Sequence, residues 1–260
     1  MSSSETYQEL WLRVHDLEID EVNGVPIPLS PSWQKICVNL SGGADSALLM
    51  ALLCAIIQER GYKTKIDAIT FDRFWFSKPW LKPISEQVFL HIKSMFPKIV
   101  DKHHISFLAP ELEECRVNLE DSHETRSAFT MATYSFNDYH CFYNEDVGAV
   151  FHGRSKNAST LLDHPHRVKR RDNPGPEEML EKLKRSEAYM IRPLLFVEKD
   201  WIIDQFIKNG WEDLLKITRS CGSNLRYLYK SWRFKADSPP PECGECYWCA
   251  ERKWAIDKVV

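Results

Sequence analysis

Lys35-Ile36-Cys37-Val38-Asn39-Leu40-Ser41-Gly42-Gly43-Ala44-Asp45-Ser46, followed by the apolar stretch Ala47 to Ile57, is the segment on which the fold turns. Lys35 to Leu40 reads as a buried strand, and 46–60 as a helix that is apolar nearly all round and closed by Gly61. Between them lies a Gly-rich turn. The first turn of a helix carries unpaired N–H groups and the positive end of its dipole, which together attract phosphate. Gly42 and Gly43 let backbone approach an anion without a Cβ and permit positive φ. Ser41 and Ser46 add hydroxyl donors. Asp45 would repel a phosphate, so its expected role is to order the loop or to hold magnesium. The turn lacks the Gly-Lys-Ser/Thr ending of the ordinary nucleotide P-loop and the spacing of the dinucleotide fingerprint. A capped turn with no ligand is the bland alternative. The order strand, glycine loop, buried helix favours phosphate.

Outward from this unit, 65–71 reads as a second apolar strand, so strand, helix and strand imply a right-handed parallel unit. Further helices are expected at 84–95, 127–139 and 199–209, and a strand at 148–152. The alternation predicts an open α/β parallel sheet with flanking helices, Rossmann-like in class. Ahead of it, Leu17-Glu18-Ile19 and Val25-Pro26-Ile27 flank Asn23-Gly24, a hairpin turn pair. Pro26, Pro28 and Pro31 place that hairpin at the periphery. The polar segment 163–185, with Asn173-Pro174-Gly175-Pro176 at its centre, reads as a mobile insertion, and 236–242 as a stiff proline-rich approach to the C-terminus. The expected organisation is a hairpin in 1–34, a nucleotide domain in 35–220 and a cysteine region in 221–260.

Composition narrows the classes. With 260 residues and 43% hydrophobic content, the chain can bury a large core, and its formal charge of -3 gives no overall nucleic-acid footprint. The start, Met1 to Thr6, is polar and lacks the regions of a signal peptide. The longest apolar run, Ala47 to Ile57, is too short to span a bilayer. A cytoplasmic protein without membrane partners is expected. A homodimer is compatible with the sequence.

Among 8 cysteines, Cys37 and Cys54 fall in apolar segments, and Cys115 and Cys141 lack ligand spacing. Cys243-Gly244-Glu245-Cys246-Tyr247-Trp248-Cys249 is different: three thiols at two-residue gaps, with Cys221 upstream. Four thiolates around zinc make a closed tetrahedral, structural site. Such binding contributes on the order of 10–16 kcal/mol to ordering a segment. An iron–sulfur cluster is held by the same ligands and stays open as the rival.

Ser-Gly-Gly-x-Asp-Ser after a strand is similar to the PP-loop of the N-type ATP pyrophosphatases, whose fold is called adenine nucleotide alpha hydrolase-like. That group includes GMP, NAD and asparagine synthetases, several tRNA-modifying enzymes and 7-cyano-7-deazaguanine synthase. The C-terminal pattern resembles the zinc site of the last of these. Arg192-Pro193-Leu194-Leu195, Glu198-Lys199-Asp200-Trp201-Ile202-Ile203, Thr218-Arg219-Ser220-Cys221 and Glu251-Arg252-Lys253-Trp254-Ala255 are similar to its neighbouring segments. Arg126-Ser127-Ala128-Phe129 and Gly153-Arg154-Ser155-Lys156-Asn157 are more loosely so, and the resemblance runs from about Lys35 to Ile256.

The resemblance implies cleavage of ATP between its α and β phosphates, with Leu40, Ser41, Gly42, Gly43, Asp45 and Ser46 gripping pyrophosphate. Phe71-Asp72 would lie beside the adenosine and Gly153 beside the nucleotide. Ser41, Asp45, Ser46 and Lys156 are the implied catalytic set, and Cys221, Cys243, Cys246 and Cys249 the metal ligands. ATP, magnesium and zinc are the implied cofactors. A 7-deazaguanine carboxylate and ammonia are the implied substrates of a carbon–nitrogen ligase in queuosine biosynthesis. Two stretches depart from that family: Phe71-Asp72-Arg73-Phe74-Trp75-Phe76-Ser77-Lys78 and Leu161-Leu162-Asp163-His164-Pro165-His166-Arg167 replace its substrate segments. Adenylation is therefore better supported than any one acid.

Other candidates are weighed on their own residues. Arg154 and Lys156 follow a predicted strand end, where open α/β sheets bind ligands. The run His164 to Arg171 reads as a solvated loop or as a lid over the phosphates. His103-His104 reads as an isolated pair on a surface turn, and Trp75, Phe76 and Trp80 as packing aromatics. A PP-loop tRNA-modifying enzyme is the alternative function; the acidic total disfavours it and the Arg167 to Arg171 patch allows it. A non-catalytic nucleotide-binding protein is the other.

Overall fold

The computed structural model describes residues 17–72, 81–107, 147–164, 180–182, 188–221 and 242–260. The expected helix at 127–139, the aromatics at 74–80 and the basic run 165–171 lie outside the described residues.

Strands β1 (Glu18–Val22) and β2 (Val25–Leu29) form a separate antiparallel hairpin. Asn23 and Gly24 both adopt positive φ at its turn, as a tight connection requires. Ile27 and Leu29 are fully buried, so one face of the hairpin closes onto the main core. Its tip is tied down by the Asn23 amide, which donates to Gln205 Oε1 at 2.6 Å.

Strand β3 (Lys35–Asn39) leads into α1 (Ala44–Arg60), then β4 (Lys65–Asp72), α2 (Leu81–Met95) and β5 (Val100–Phe107). Strand β6 (Val147–His152) is followed by β7 (Leu180–Lys182), β8 (Tyr189–Ile191), α3 (Lys199–Lys208), α4 (Glu212–Ile217) and α5 (Tyr247–Val259). The six-stranded sheet has the order β5-β4-β3-β6-β8-β7, with β7 antiparallel to β8 and the other pairings parallel. This is the Rossmann-like α/β class. Two details differ from the sequence expectation. The charged triplet Leu180-Glu181-Lys182 lies within the segment expected to be a mobile insertion, yet it forms the edge strand. A three-residue strand carries too little alternation to be recognised, and only its pairing with β8 defines it.

The second correction concerns His103 and His104, which lie in β5 rather than on a surface turn. His104 Nε2 donates to the buried Asp67 carboxylate at 2.9 Å, and Lys35 reaches the same oxygen at 3.1 Å. Burial works against that charge, but these hydrogen bonds hold Asp67 below the usual carboxylate range. A buried carboxylate on the neighbouring strand thus gives His104 its partner, while His103 Nε2 lies 2.7 Å from the Thr70 hydroxyl.

Among the described residues, helix α1 lies in the main core. Eleven consecutive residues contribute to an apolar stretch, and 12 of its 17 positions are buried, so it packs on nearly every side. Gly61, at φ 67°, closes it in the left-handed conformation. Ile36, Val38, Ala68, Ala149, Phe151 and Ile191 meet the helices on one sheet face; Cys37, Ile69, Val147, Val150 and Met190 point to the other.

Gly148 in β6 shows how tight the sheet is. A Cβ there would lie 2.1 Å from Trp33 Cδ1 and 2.3 Å from its Cγ. Gly148→Ala is expected to destabilise the fold by about 1–3 kcal/mol in urea unfolding, as overpacking does. Trp33→Leu in the same chain should recover part of that loss, since the two changes share one contact.

Candidate functional site

The strand order turns outward in opposite directions from β3 and β6: the chain runs β3, β4, β5 to one side and β6, β8 to the other. Open α/β sheets bind ligands in the crevice beyond the carboxyl ends of strands at such a switch point. Two loops flank this one, 40–43 after β3 and 153–158 after β6.

The first loop is held at its root by Leu40, whose N–H donates to the Ile69 carbonyl at 2.8 Å. The Thr70 hydroxyl donates to the Leu40 carbonyl at 2.6 Å, and His103 Nε2 lies 2.7 Å from the same hydroxyl. Gly42 takes φ 72°, and a Cβ there would fall 2.8 Å from Ile84 Cγ2 and 3.0 Å from the Ser85 nitrogen. Both conformation and space therefore demand glycine. Ser41 and Ser46 bind each other: the hydroxyls share a hydrogen bond of 3.1 Å, and the Ser41 N–H donates to Ser46 Oγ at 3.1 Å. Ser46 also donates to the Gly43 carbonyl at 3.2 Å. Gly43 is the N-cap of α1 and makes no side-chain cap bond. An ordered turn thus precedes a helix start whose amides suit an anion.

The second loop touches the first. A Cβ on Gly153 would meet Ser46 Cα and N at 2.6 Å, so glycine is what lets β6 end against the first turn of α1. Ser155 donates to Asp45 Oδ2 at 2.7 Å, while Lys199 Nζ contacts Asp45 Oδ1. Asp45 therefore has both oxygens engaged, one by a hydroxyl and one by an ammonium. The Lys156 N–H donates to the Val197 carbonyl at 2.9 Å, and its Nζ lies 3.7 Å from Glu198 Oε1. Lys156 thus sits on the flanking loop with its ammonium beside a carboxylate. Phe71 and Asp72 end β4, opposite Ser106 and Phe107.

At the level where β3 and β6 end, Asn39 pairs with His152, and Arg192 follows Ile191, the partner of Phe151. The Asn39 amide donates to His152 Nε2 at 2.6 Å. Burial, and then the charges of Arg192 and Arg154, push the His152 imidazolium down to about 3. Burial and the neighbouring His104 push His103 down to about 4. Both rings are neutral at physiological pH.

The cysteines expected as ligands do converge. Sγ atoms of Cys221, Cys243, Cys246 and Cys249 all lie within 4.8 Å of one another, with Cys243 and Cys249 3.8 Å apart. A tetrahedron with 2.3 Å metal–sulfur bonds has edges of about 3.8 Å, so the four thiols can hold a metal ion. Cys246 caps α5 and Cys249 lies in its first turn, so one helix start presents two of the four thiols. Cys221 and Cys249 are part of the main core cluster, so this region is packed into the domain.

Ser155, Lys199, Arg219 and Glu251 stand in the sequence only within the resembling segments, with no site role assigned to them. Lys199 opens α3, where the dipole repels a cation, yet its side chain is 3% exposed. A lysine beginning a helix behind a glutamate is the one signal that would have marked it. It lies between Asp45 and Glu251, whose Oε2 is 3.9 Å away. The Arg219 N–H donates to the Gly42 carbonyl at 2.9 Å, a contact no sequence pattern announces.

No family model and no curated protein matches the sequence. Solved structures with a related course include a 4-thiouridine synthetase–RNA complex with bound ATP (13% identity, TM-score 0.46, 87% of this chain and 50% of that one). The U34-tRNA thiolase NcsA from Methanococcus maripaludis with its [4Fe-4S] cluster is similar at 12% identity and TM-score 0.41, over 86% of this chain and 63% of that one. An NAD+ synthetase from Burkholderia pseudomallei gives 12%, 0.38, 70% and 60%. The chain spans about half to three-fifths of the length of these proteins. At such distance nothing about chemistry follows from them. No helix among the described residues is long and apolar enough to cross a membrane.

The two histidines set a pH dependence. Unfolded imidazoles titrate near about 6.5, above both folded values, so between roughly pH 6.5 and 4 the unfolded chain binds more protons. Stability is therefore lost as pH falls through that window. Ring proton shifts of His103 and His152 should stay those of neutral imidazole down to about pH 5, while the urea midpoint drops between about pH 7 and 5.

Proposed function

We propose that this chain is an ATP-dependent adenylating enzyme whose loop 41–46 seats the pyrophosphate end of ATP. The observation that carries this reading is the self-braced glycine turn at the start of α1, placed at the switch point of the sheet. Gly42 and Gly43 leave the backbone open to an anion, and Asp45 is turned to Ser155 and Lys199. The local charge that would repel phosphate is thus engaged.

In the proposed reaction a substrate carboxylate oxygen attacks the α phosphorus. The bond from that phosphorus to the bridging oxygen breaks, and pyrophosphate leaves on the loop. Ammonia then attacks the acyl carbon of the adenylate; AMP departs with the bonding pair, one proton is released, and an amide forms. In the 7-cyano-7-deazaguanine synthase pattern, a second activation dehydrates that amide to a nitrile. Magnesium, arriving with ATP, would screen the phosphate charge. This chemistry needs positioning and charge stabilisation rather than a nucleophilic side chain. Arg154 and Arg192, whose charges reach His152 at the strand ends, favour an anionic acceptor there. Lys156, beside Glu198 on the same rim, is proposed as a phosphate contact.

At the cysteines we favour one zinc ion. Its four ligands would be Cys221, Cys243, Cys246 and Cys249, and its contribution would be structural, joining α5 to the domain. Thiols within 4.8 Å of one another match the span of a single tetrahedral ion, whereas four irons and four sulfides between them would require a wider cage.

Incubation with ATP, magnesium, ammonia and 7-carboxy-7-deazaguanine should yield AMP and pyrophosphate with an amide or nitrile product by mass spectrometry. Asp45→Ala should lower kcat/KM by about 10²-fold, the scale of a binding loop displaced by about 1 Å. AMP formation only on adding tRNA would move the acceptor to RNA; no AMP with any acid or RNA would end the adenylation reading. For the metal, cobalt(II) loading should give the absorption of a tetrahedral thiolate site. An iron–sulfide chromophore in anaerobically purified protein would replace zinc with a cluster.

A further inference from the structure

The four-cysteine region and the nucleotide loop are joined by two buried struts. The first runs from a guanidinium into the backbone. Arg252, on α5 beyond Cys249, donates through Nη1 to Thr218 Oγ1 at 2.8 Å and through Nη2 to the Leu215 carbonyl at 2.9 Å. The segment so held contains Arg219, whose N–H binds the Gly42 carbonyl at 2.9 Å, and ends at the ligand Cys221. Gly42 is the residue at positive φ in the loop, so its carbonyl direction sets the turn.

The second strut is ionic. Lys199 sits between Asp45 in the first turn of α1 and Glu251 on α5. Glu251 is fully buried and accepts a hydrogen bond from the Tyr247 hydroxyl at 3.1 Å. Lys199 opens a helix whose dipole disfavours it, so the two carboxylates hold it in place. Both struts start on α5, which carries Cys249 and is capped by Cys246.

We propose that Lys199 and Arg252 are positioning residues for loop 41–46, and that filling the four-cysteine site sets the loop through them. The nucleotide part of this inference rests on the function proposed above; the mechanical part does not. With the site filled, α5 is fixed, Glu251 and Arg252 are fixed with it, and the loop holds the shape that receives an anion. With the site empty, α5 loosens and the loop loses both braces.

The test uses the full chain, loaded with zinc(II) or chelated, and reads hydrogen–deuterium exchange alongside calorimetric binding of magnesium pyrophosphate. Chelation is expected to speed exchange of the 41–47 amides at least tenfold, leaving β3, β4 and β6 protected, and to weaken pyrophosphate binding by a similar factor. Zinc-loaded Arg252→Met, and zinc-loaded Lys199→Met combined with Glu251→Leu, should retain the ion and the fold yet show the same loosening at 41–47. The paired change removes Lys199 together with its second carboxylate, so Glu251 is not left buried and unpaired. In a chain carrying all three changes, chelation should add nothing at the loop. If chelation unfolds the whole chain, the zinc-loaded variants decide. Loop exchange and pyrophosphate affinity unchanged in those variants would overturn the proposal. Intact exchange coupling with no pyrophosphate binding in any form would leave the struts standing and sink the adenylation reading instead.

Discussion

A lysine with almost no solvent exposure, placed at the wrong end of a helix dipole, is the constraint around which this molecule is arranged. A buried ammonium is tolerated only beside carboxylates, because removing one partner leaves an uncompensated charge away from water. Lys199 finds two, from opposite ends of the chain: Asp45 in the first βα unit and Glu251 in the last helix. The first βα unit and the last helix are therefore joined through one cation, directly behind the loop before α1.

That arrangement has an electrostatic consequence. Asp45 is the one formal negative charge in the glycine turn, and it is held by Lys199 and Ser155. The amides at the start of α1 then lie beside a carboxylate already engaged by a hydroxyl and an ammonium. Close packing does the rest. Gly153 brings the end of β6 against Ser46, and Gly42 brings the turn against Ile84 and Ser85, so neither loop can shift without the other. The neutral imidazoles of His103 and His152 sit beneath these loops, one through the Thr70 hydroxyl and one through the Asn39 amide, adding hydrogen bonds without adding charge.

Periodicity made the βα framework legible. The helix expected over 46–60 spans Ala44–Arg60, the strand over 148–152 spans Val147–His152, and the helix over 199–209 spans Lys199–Lys208. These elements are long or strongly apolar, and their local pattern agrees with their burial. The cysteine set was legible for a different reason: thiols at two-residue gaps have few structural uses other than shared coordination, and the structure brings all four together. What escaped notice was short or paired at distance. The β7 triplet has no pattern of its own, and His104 reads as a surface residue until Asp67 appears beside it.

From residue order alone came the α/β class, the glycine turn between β3 and α1, and the set of four cysteines, because each depends on patterns within a few residues or on composition. Only the tertiary structure decided that β3 and β6 meet at the switch point, that Asp45 faces Lys199 and Ser155, and that the Arg219 backbone grips Gly42. Those contacts join residues more than a hundred positions apart. Such pairings are set by which faces can be buried together and which charges must be compensated, and neither is written in any local stretch of chain.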